Sequence, residues 1–393
     1  MATSVILGGA RTPIGRFGGA LASRSAVDLG AVAIRAALER AGVEPARVDY
    51  VVMGQVLQAG TGQITARQAS IAAGIPKEVP SITINKVCLS GLNAVAMADQ
   101  MIRAGEADVV VAGGMESMSS APWLLPRSAD GRTYGAGQAV DSMIHDGLWS
   151  TFTGQSMGES SDVVNRELGV TREDQDAWAA RSHHRAAAAW ESGVLADEVV
   201  PVEIAGRDGT TVVSRDEGIR PDTSVERLAK LRPAFGPEGT ITAGNASQVS
   251  DGAAALVVVR REVAEAIGAT PLAEVVAHGM AAGAFPMLHT VPAAALEVAL
   301  KKAGLSAADL DRIEVNEAFA AVALHVTRLL GVSEDRVNVH GGAVALGHPI
   351  GASGARLALT LVHELRRTGV ALAAATICGG GGQGDALILR NAT

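Results

Sequence analysis

An internal repeat restricts the fold of this chain more than any other feature of its sequence. Four segments recur in the same order, three of them 262 or 263 positions later. Matches in one order predict two similar halves, each rich in βαβ units. The matched pairs are AALERAGV at 36–43 with VALKKAGL at 298–305, Asp49 with Asp311, Ser90-Gly91 with Ser353-Gly354, and VVVAGG at 109–114 with ATICGG at 375–380.

Predicted strands and helices alternate along the first half. Residues 4–8 and 48–53 read as strands, and residues 26–41 and 63–73 carry apolar side chains at helical spacing. The first of these helices is predicted to stop at Gly42. Alternation of this kind favours an α/β fold with a mostly parallel sheet and helices on both faces.

A segment of different character separates the two halves. Residues 116–248 contain irregular stretches of Pro, Ser and Gly and one clear helix at 171–191. Buried-strand character returns at 251–260, which we expect to rejoin the first half. The sequence thus predicts a first half at 1–117 plus 249–271, an inserted loop domain at 118–248, and a second half at 272–393.

Composition excludes several classes of protein. The two cysteines, Cys88 and Cys378, are too far apart in a chain of 393 residues for a disulfide framework or a zinc site. A net charge of −8 argues against nucleic acid as a partner. No apolar run reaches the roughly 18 residues of a membrane span, and the N-terminus lacks a basic signal region. We therefore expect a cytoplasmic protein without a metal or membrane partner.

Cys88 is the first candidate catalytic residue. It follows a short predicted strand and precedes an amphipathic helix. Unpaired N–H groups and the positive end of the helix dipole favour a thiolate at such a position. The alternative is that Cys88 is a small buried apolar side chain.

His348 and Cys378 lie in two glycine-rich segments of the second half. Glycines bracket His348, and Pro349 keeps it outside a helix, so the ring could take a proton from a thiol. A purely structural histidine is the alternative. Cys378 follows a predicted strand at 371–377 and precedes four glycines, whose N–H groups could form an oxyanion hole.

Asn316 and a basic cluster are further candidates. Asn316 ends a predicted strand at 312–315, where open α/β sheets bind ligands, although it could instead cap the next helix. The basic cluster consists of Arg215, Arg220, Arg227, Lys230 and Arg232. It could hold a phosphorylated ligand together with residues 242–247, or it could be a solvated surface.

His183-His184 has no further ligand at helical spacing, so a metal site is not expected there.

Four motifs together resemble the thiolases of the acetyl-CoA acetyltransferase type over nearly the whole chain. The resemblance implies two similar halves that form a five-layered α/β/α/β/α core with an inserted loop domain. It also implies a homotetramer built as a dimer of dimers, or a dimer, and no cofactor beyond coenzyme A thioesters as substrates. The motifs are NKVCLSG at 85–91, NEAFA at 316–320, GGAVALGHPIGASG at 341–354 and CGGG at 378–381.

The resemblance also implies roles for individual residues. Cys88 would carry the acyl group, His348 would activate Cys88, and Cys378 would move the proton at the α-carbon of the second substrate. Asn316 would hold a water that, with His348, stabilises the enolate oxygen. The N–H groups of Cys88 and Gly380 would form a second oxyanion hole. Coenzyme A contacts would fall on Leu148, Met157, Arg220, Phe235, Ala243, Ser247, Ala318 and Phe319.

The chain departs from the family pattern in two segments. Ser156-Met157-Gly158 stands where many acetoacetyl-specific members have His-Met before a glycine, and MLHTVP at 287–292 replaces the usual M-G-x-G-P loop. Both segments would border the acyl or pantetheine pocket.

The leading hypothesis is reversible condensation of two acetyl-CoA to acetoacetyl-CoA through acyl-Cys88. The first alternative is a longer-chain 3-ketoacyl-CoA thiolase of fatty-acid β-oxidation. A decarboxylating ketoacyl synthase needs no second cysteine, so Cys378 argues against it. A non-catalytic acyl-CoA binding protein is the remaining alternative.

Overall fold

The computed structural model describes residues 2–125, 138–207 and 209–392. Residues 126–137 and 208 of the predicted insertion therefore lie outside the described residues. The strands are β1 Ser4–Arg11, β2 Gly15–Arg16, β3 Tyr50–Gly54, β4 Ser81–Ile84, β5 Val109–Ser117, β6 Trp123–Leu124, β7 Val140–Asp141, β8 Trp149–Ser150, β9 Gln155–Ser156, β10 Val202–Gly206, β11 Gly209–Val213, β12 Ser250–Arg260, β13 Ala273–Ala282, β14 Arg312–Val315, β15 Leu372–Gly379 and β16 Gln383–Asn391.

Helices cover the sheet and form much of the insertion. They are α1 Ala26–Ala41, α2 Thr65–Ala72, α3 Ser90–Ala104, α4 Met157–Leu168, α5 Arg172–Glu191, α6 Val225–Leu228, α7 Arg261–Ala266, α8 Val291–Ala303, α9 Ala320–Leu330, α10 Ala343–Leu346 and α11 Ser353–Thr368. Single 3₁₀ turns and one π-helical segment, Met143–Leu148, lie between them. Among the described helices, none has both the length and the apolar character needed to cross a membrane.

The strands pair in the order β14-β15-β16-β13-β1-β12-β5-β3-β4, with β2 beside β12. Along this path β14–β15, β5–β3 and β3–β4 are parallel, and the other described pairs are antiparallel. The prediction of a mostly parallel sheet is therefore wrong. The short glycine turn between β15 and β16 allows only an antiparallel pair, and β12 enters between β1 and β5 after the insertion.

The internal repeat is confirmed by the topology. In the first half the order β1-β12-β5-β3 has the same pattern as β13-β16-β15-β14 in the second half. The two halves join through β1 and β13, which pair at Val5 with Glu274 and at Ile6 with Ala273. Corresponding helices α1 and α8 both end at a left-handed glycine, Gly42 and Gly304. The strand predicted at 251–260 does rejoin the first half, as β12.

Helices and the two half-sheets form five layers, which pack together through three apolar clusters. One cluster packs α1 and α2 against the outer face of the first half of the sheet. Another packs α8 and α9 against the outer face of the second half. The third places α3 and α11 between the two half-sheets. The expected α/β/α/β/α arrangement is thus confirmed.

The two central helices approach each other at a pair of glycines. A Cβ at Gly354 would overlap the backbone of Leu92, and a Cβ at Gly91 would lie 2.7 Å from the backbone nitrogen of Ala355. Because each glycine is the second residue of its helix, the close contact lies at the first turns of α3 and α11. The segments that precede these turns carry Cys88 and His348, so both residues come to the centre of the molecule.

Buried ion pairs attach the insertion to the first half. Arg11 at the end of β1 donates to Glu198 at 2.6 Å and to Asp216 at 2.7 Å, and its guanidinium is buried. These two carboxylates outweigh the desolvation and raise the pKa of Arg11. Removing one partner would leave an uncompensated buried charge. The insertion is therefore held to the sheet by charge as well as by packing.

Candidate active site

A cavity of about 200 Å³ lies beside the first turns of α3 and α11. Cys88, His348 and Cys378 line it, so three candidate catalytic side chains from distant parts of the sequence share one space. Most of the wall is apolar. It includes Ile144, Leu148, Met157, Phe235, Leu288 and Phe319.

Cys88 lies on a tight turn between β4 and α3. The preceding residue, Val87, has a φ of 52°, which is costly for a β-branched side chain, roughly 1–3 kcal/mol. The Asn85 side chain accepts the N–H of Val87 at 3.0 Å. Lys86 of the same turn forms an ion pair with Asp385 of β16 at 2.7 Å. These contacts hold the strained turn in place and leave Cys88 partly exposed to the cavity.

The environment of Cys88 disfavours the thiolate. The pKa of the Cys88 thiol is raised to about 12, chiefly by burial and slightly by the carboxylate of Glu116, against the opposing effect of the N–H groups of Cys88 and Gly380. The favourable effect expected from the helix start is therefore outweighed by burial of the sulfur. Helix α3 begins at Ser90, after the cysteine, and its dipole does not offset desolvation of the sulfur. Cys88 consequently needs a base.

His348 lies between α10 and α11 and is buried. Its Nδ1 is 2.6 Å from Ser353 Oγ, and its Nε2 is 3.5 Å from Asn316 Nδ2. Burial lowers the pKa of His348 to about 3, with a smaller contribution from the positive charge of Arg356. The ring is therefore neutral at physiological pH and able to accept a proton.

Asn316 follows β14 and is fully buried. It does not cap the next helix, since α9 begins at Ala320 and Phe319 is its N-cap. The alternative role as a helix cap is thus wrong. Among the residues that the structure describes, Asn316 Oδ1 has no hydrogen-bond partner. A buried acceptor of this kind is normally satisfied by water or by a ligand.

Cys378 lies inside β15 rather than after it, because the strand extends to Gly379. The side chain is buried, and its pKa is raised by desolvation and by the nearby Cys88 sulfur. Both cysteines are free thiols. The N–H of Gly380, in the glycine turn after β15, donates toward the Cys88 sulfur. The glycine turn after β15 therefore reaches the Cys88 sulfur.

Most predicted coenzyme A contacts surround the same cavity. Arg220 and Ala243 do not: both are exposed and lie outside it. Within the basic cluster, Arg227 forms an ion pair with Asp222, and Arg215 packs over the Trp190 ring. Predicted contacts that do line the cavity are Leu148, Met157, Phe235, Ser247, Ala318 and Phe319.

The two segments that depart from the family pattern both reach the cavity. Ser156 lines it and also caps α4 through a reciprocal pair of hydrogen bonds with Glu159. Leu288 lines it, while the adjacent His289 is buried and bonds to Asn165 Oδ1 at 2.8 Å. Ser156 and Leu288 therefore shape the substrate space directly, whereas His289 supports the wall.

Sequence reasoning missed Glu116, which is buried at the end of β5. Its carboxylate accepts N–H groups of Val56 at 3.0 Å, Leu57 at 3.1 Å and Gly351 at 2.9 Å. Burial raises the pKa of Glu116 to about 7. Since these donors are backbone groups from both halves, no side-chain pattern in the sequence could identify them.

His183 and His184, the adjacent pair on α5, both have hydrogen-bond partners within the protein. His183 Nδ1 accepts the N–H of Arg220 at 3.2 Å, and His184 contacts the Thr223 carbonyl at 2.7 Å. Within the described ranges, no three His, Cys, Asp or Glu side chains are grouped as metal ligands would be.

Comparisons with known proteins match the whole chain. Family models described as "Thiolase, N-terminal domain" and "Thiolase, C-terminal domain" match residues 4–262 and 269–391. A protein of Mycolicibacterium smegmatis named "Probable acetyl-CoA acetyltransferase" is 56% identical over 98% of this chain and 100% of its own length. The "Acetyl-CoA acetyltransferase" of Escherichia coli is 50% identical over 99% of both chains. The crystal structure of the Bacillus anthracis acetyl-CoA acetyltransferase superposes with a TM-score of 0.96 at 41% identity, covering 100% of this chain and 99% of the other.

Proposed function

The chain belongs to the thiolase family, and we propose that it is an acetyl-CoA C-acetyltransferase that interconverts two acetyl-CoA with acetoacetyl-CoA and free coenzyme A. The observation that carries the proposal is the cavity shared by Cys88, His348 and Cys378. A carbon–carbon bond between thioesters requires a covalent acyl store, a base for a weakly acidic C–H and stabilised oxyanions. These three residues and their neighbours supply all of these.

In the first half-reaction, Cys88 attacks the thioester carbonyl carbon of acetyl-CoA. Its proton passes to His348 Nε2, and the N–H groups of Cys88 and Gly380, which are directed at the Cys88 sulfur, stabilise the tetrahedral oxyanion. The carbon–sulfur bond to coenzyme A breaks, and Cys378 gives its proton to the leaving thiolate. The products are acetyl-Cys88, protonated His348, a Cys378 thiolate and coenzyme A.

In the second half-reaction, the Cys378 thiolate removes an α-proton from the second acetyl-CoA. Protonated His348 and a water on Asn316 Oδ1 stabilise the enolate oxygen, which accounts for that buried acceptor. The enolate carbon attacks the acetyl group, and Cys88 leaves and regains its proton from His348. Thiolysis of a 3-ketoacyl-CoA is the reverse sequence.

The size of the cavity favours a short acyl group. At about 200 Å³ it is smaller than the pockets of roughly 300–1,000 Å³ that hold drug-sized ligands. Apolar side chains such as Leu148, Leu288 and Phe319 form its wall. A longer-chain thiolase of fatty-acid β-oxidation is therefore the second candidate.

The test is thiolysis measured as loss of the acetoacetyl-CoA enolate absorbance on addition of free coenzyme A. We expect turnover by the native protein, none by Cys88→Ala, and a steep decline in kcat/KM beyond four carbons in a series of 3-ketoacyl-CoA substrates. A flat chain-length profile would favour the β-oxidation enzyme. No turnover with any substrate would favour a non-catalytic acyl-CoA binding protein.

Membership of the family also supports proposals about assembly and location. We propose a homotetramer, built as a dimer of dimers, that works in the cytoplasm and needs no cofactor besides its coenzyme A substrates. Strand β4 ends the sheet path, and Ile64, Ile71 and Ile82 are exposed near it, as a surface that pairs with a second copy would require. Light scattering on the purified protein measures the number of chains.

A further inference from the structure

Ser90 and Ser353 occupy matching places in the two halves. Each is the first residue of its helix, α3 or α11, each precedes a glycine, and both are buried. In each half the hydroxyl reaches back to the segment that carries a candidate catalytic residue. Ser90 Oγ accepts the N–H of Lys86 at 2.8 Å and donates to the Val87 carbonyl at 2.6 Å. The serine thus closes the turn that carries Cys88.

Ser353 makes the corresponding contacts beside His348. Its Oγ donates to the Pro349 carbonyl at 2.9 Å and is 2.6 Å from His348 Nδ1. A hydroxyl has one proton, and a carbonyl can only accept. Since that proton lies on the bond to Pro349, Ser353 must accept from His348, so Nδ1 carries the ring proton.

A neutral imidazole with its proton on Nδ1 has a lone pair on Nε2. The second neighbour of the His348 ring, Asn316, is compatible with this tautomer, because its Nδ2 is a donor and lies 3.5 Å from Nε2. Nε2 is the nitrogen that takes the proton from Cys88 in the proposed reaction. The Ser353 contact therefore selects the tautomer that is competent as a base, and the Asn316 amide is compatible with it.

We propose that Ser353 is a positioning residue that holds His348 in the Nδ1–H tautomer, and that Ser90 is its counterpart for the Cys88 turn. The inference rests on the proposed function, since it assigns Ser353 a part in activating the nucleophile. The hydrogen bond from Nδ1 persists when Nε2 gains a proton, so Ser353 supports the ring before and after proton transfer. The same buried serine at a helix start therefore supports Cys88 in one half of the chain and His348 in the other.

Loss of the Ser353 hydroxyl has a specific consequence. With alanine there, Nδ1–H would be a buried donor without its acceptor, which is costly. The contact that fixes the proton on Nδ1 would be lost, so the Nε2–H form, which cannot accept the proton of Cys88, would become populated. A serine that served only the start of α11 would change stability and leave the tautomer unchanged.

A neutron crystal structure of the deuterium-exchanged protein tests the tautomer directly. We expect deuterium on Nδ1 of His348 in the native protein and in Ser90→Ala, and on Nε2 in Ser353→Ala. Alkylation of Cys88 by iodoacetamide gives the second readout. General-base assistance is worth about 10²–10⁴-fold, so we expect Ser353→Ala to slow alkylation by about tenfold or more. Ser353→Thr, which keeps the hydroxyl, should restore part of the rate.

The outcomes separate this inference from the proposed function. Deuterium on Nε2 in the native protein would overturn the inference whatever the activity, and so would unchanged alkylation together with Nδ1–D in Ser353→Ala. If the alanine variant does not fold, the native neutron structure still decides the tautomer. A native protein with Nδ1–D but no thiolysis would refute the function and leave the assignment of the tautomer standing.

Discussion

Asp49 and Asp311 make the same pair of hydrogen bonds in the two halves of the chain. Asp49 Oδ2 accepts the N–H groups of Asp108 and Val109, each at 2.9 Å. Asp311 Oδ2 accepts those of Ala371 and Leu372, at 2.9 and 3.0 Å. Each aspartate precedes one strand of a parallel pair and binds the start of the other, so it fixes their register.

We expect Asp311→Ala to lower the free energy of unfolding by about 1–3 kcal/mol, as loss of hydrogen bonds to a charged acceptor does. Asp49→Ala should cost less, because Asp49 is exposed whereas Asp311 is half-buried. Urea unfolding measures both, with Asp311→Asn as a control that keeps an acceptor oxygen. Equal stability of Asp311→Ala and the native protein would show that the carboxylate does not hold the strand pair.

The pH dependence of Cys88 alkylation follows from the pKa of its thiol. Because burial raises that pKa to about 12, the thiolate is scarce at neutral pH and becomes more abundant as pH rises. In His348→Ala, where no base assists the thiol, the rate of reaction with iodoacetamide should therefore increase about tenfold per pH unit between about pH 7 and pH 9, without a plateau. Mass spectrometry locates the alkylated residue. A plateau below pH 8 in that variant would show that a group other than His348 lowers the pKa of the Cys88 thiol.

Replacement of Cys378 should separate the two half-reactions. In Cys378→Ala no thiolate removes the α-proton, so we expect acetoacetyl-CoA formation to fall by about 10²-fold or more, the usual contribution of a general base. Cys88 should still be alkylated by iodoacetamide, since its turn remains and His348 keeps its contacts with Ser353 and Asn316. Synthesis assays and intact-protein mass spectrometry give the two readouts. Retention of full synthesis would exclude Cys378 as the proton carrier.

Phe235 offers a test of the cavity wall. A Cβ at Gly158 in α4 would overlap the Phe235 ring, which packs edge-on against Phe319. Gly158→Ala should therefore displace the ring and raise KM for acetoacetyl-CoA about tenfold, the effect of roughly 1.4 kcal/mol of lost binding. Gly236→Ala is the matched control, because a Cβ there meets open space. An unchanged KM in Gly158→Ala would place Phe235 outside the binding surface.

The sequence predicted local elements well where the pattern is local. Helix α1 has the predicted bounds, Gly42 ends it, and Thr171 caps α5 by accepting the N–H of Asp174. Strand direction was predicted wrongly, because the place of β12 depends on how the chain returns after a long insertion. The pairing of β1 with β13, which joins the halves, likewise has no local signal.

The candidate site, like the fold, was predictable from the sequence only in part. A predicted helix start identified Cys88 and glycine-rich segments identified His348 and Cys378, and the structure places all three in one cavity. The protonation state of Cys88 was not predictable, since it depends on the balance between desolvation and two backbone N–H groups. Ser353 was visible only as part of a repeated Ser-Gly pair. Its role depends on a 2.6 Å contact that folding creates.

The glycine pair at the first turns of α3 and α11 has a further consequence. Backbone rests there against backbone, and no side chain can change rotamer to absorb a displacement. The spacing between Cys88 and His348 is therefore set by contacts of the main chain. Neither half of the chain can shift at this point without displacing the other, so Cys88 and His348 move together or not at all.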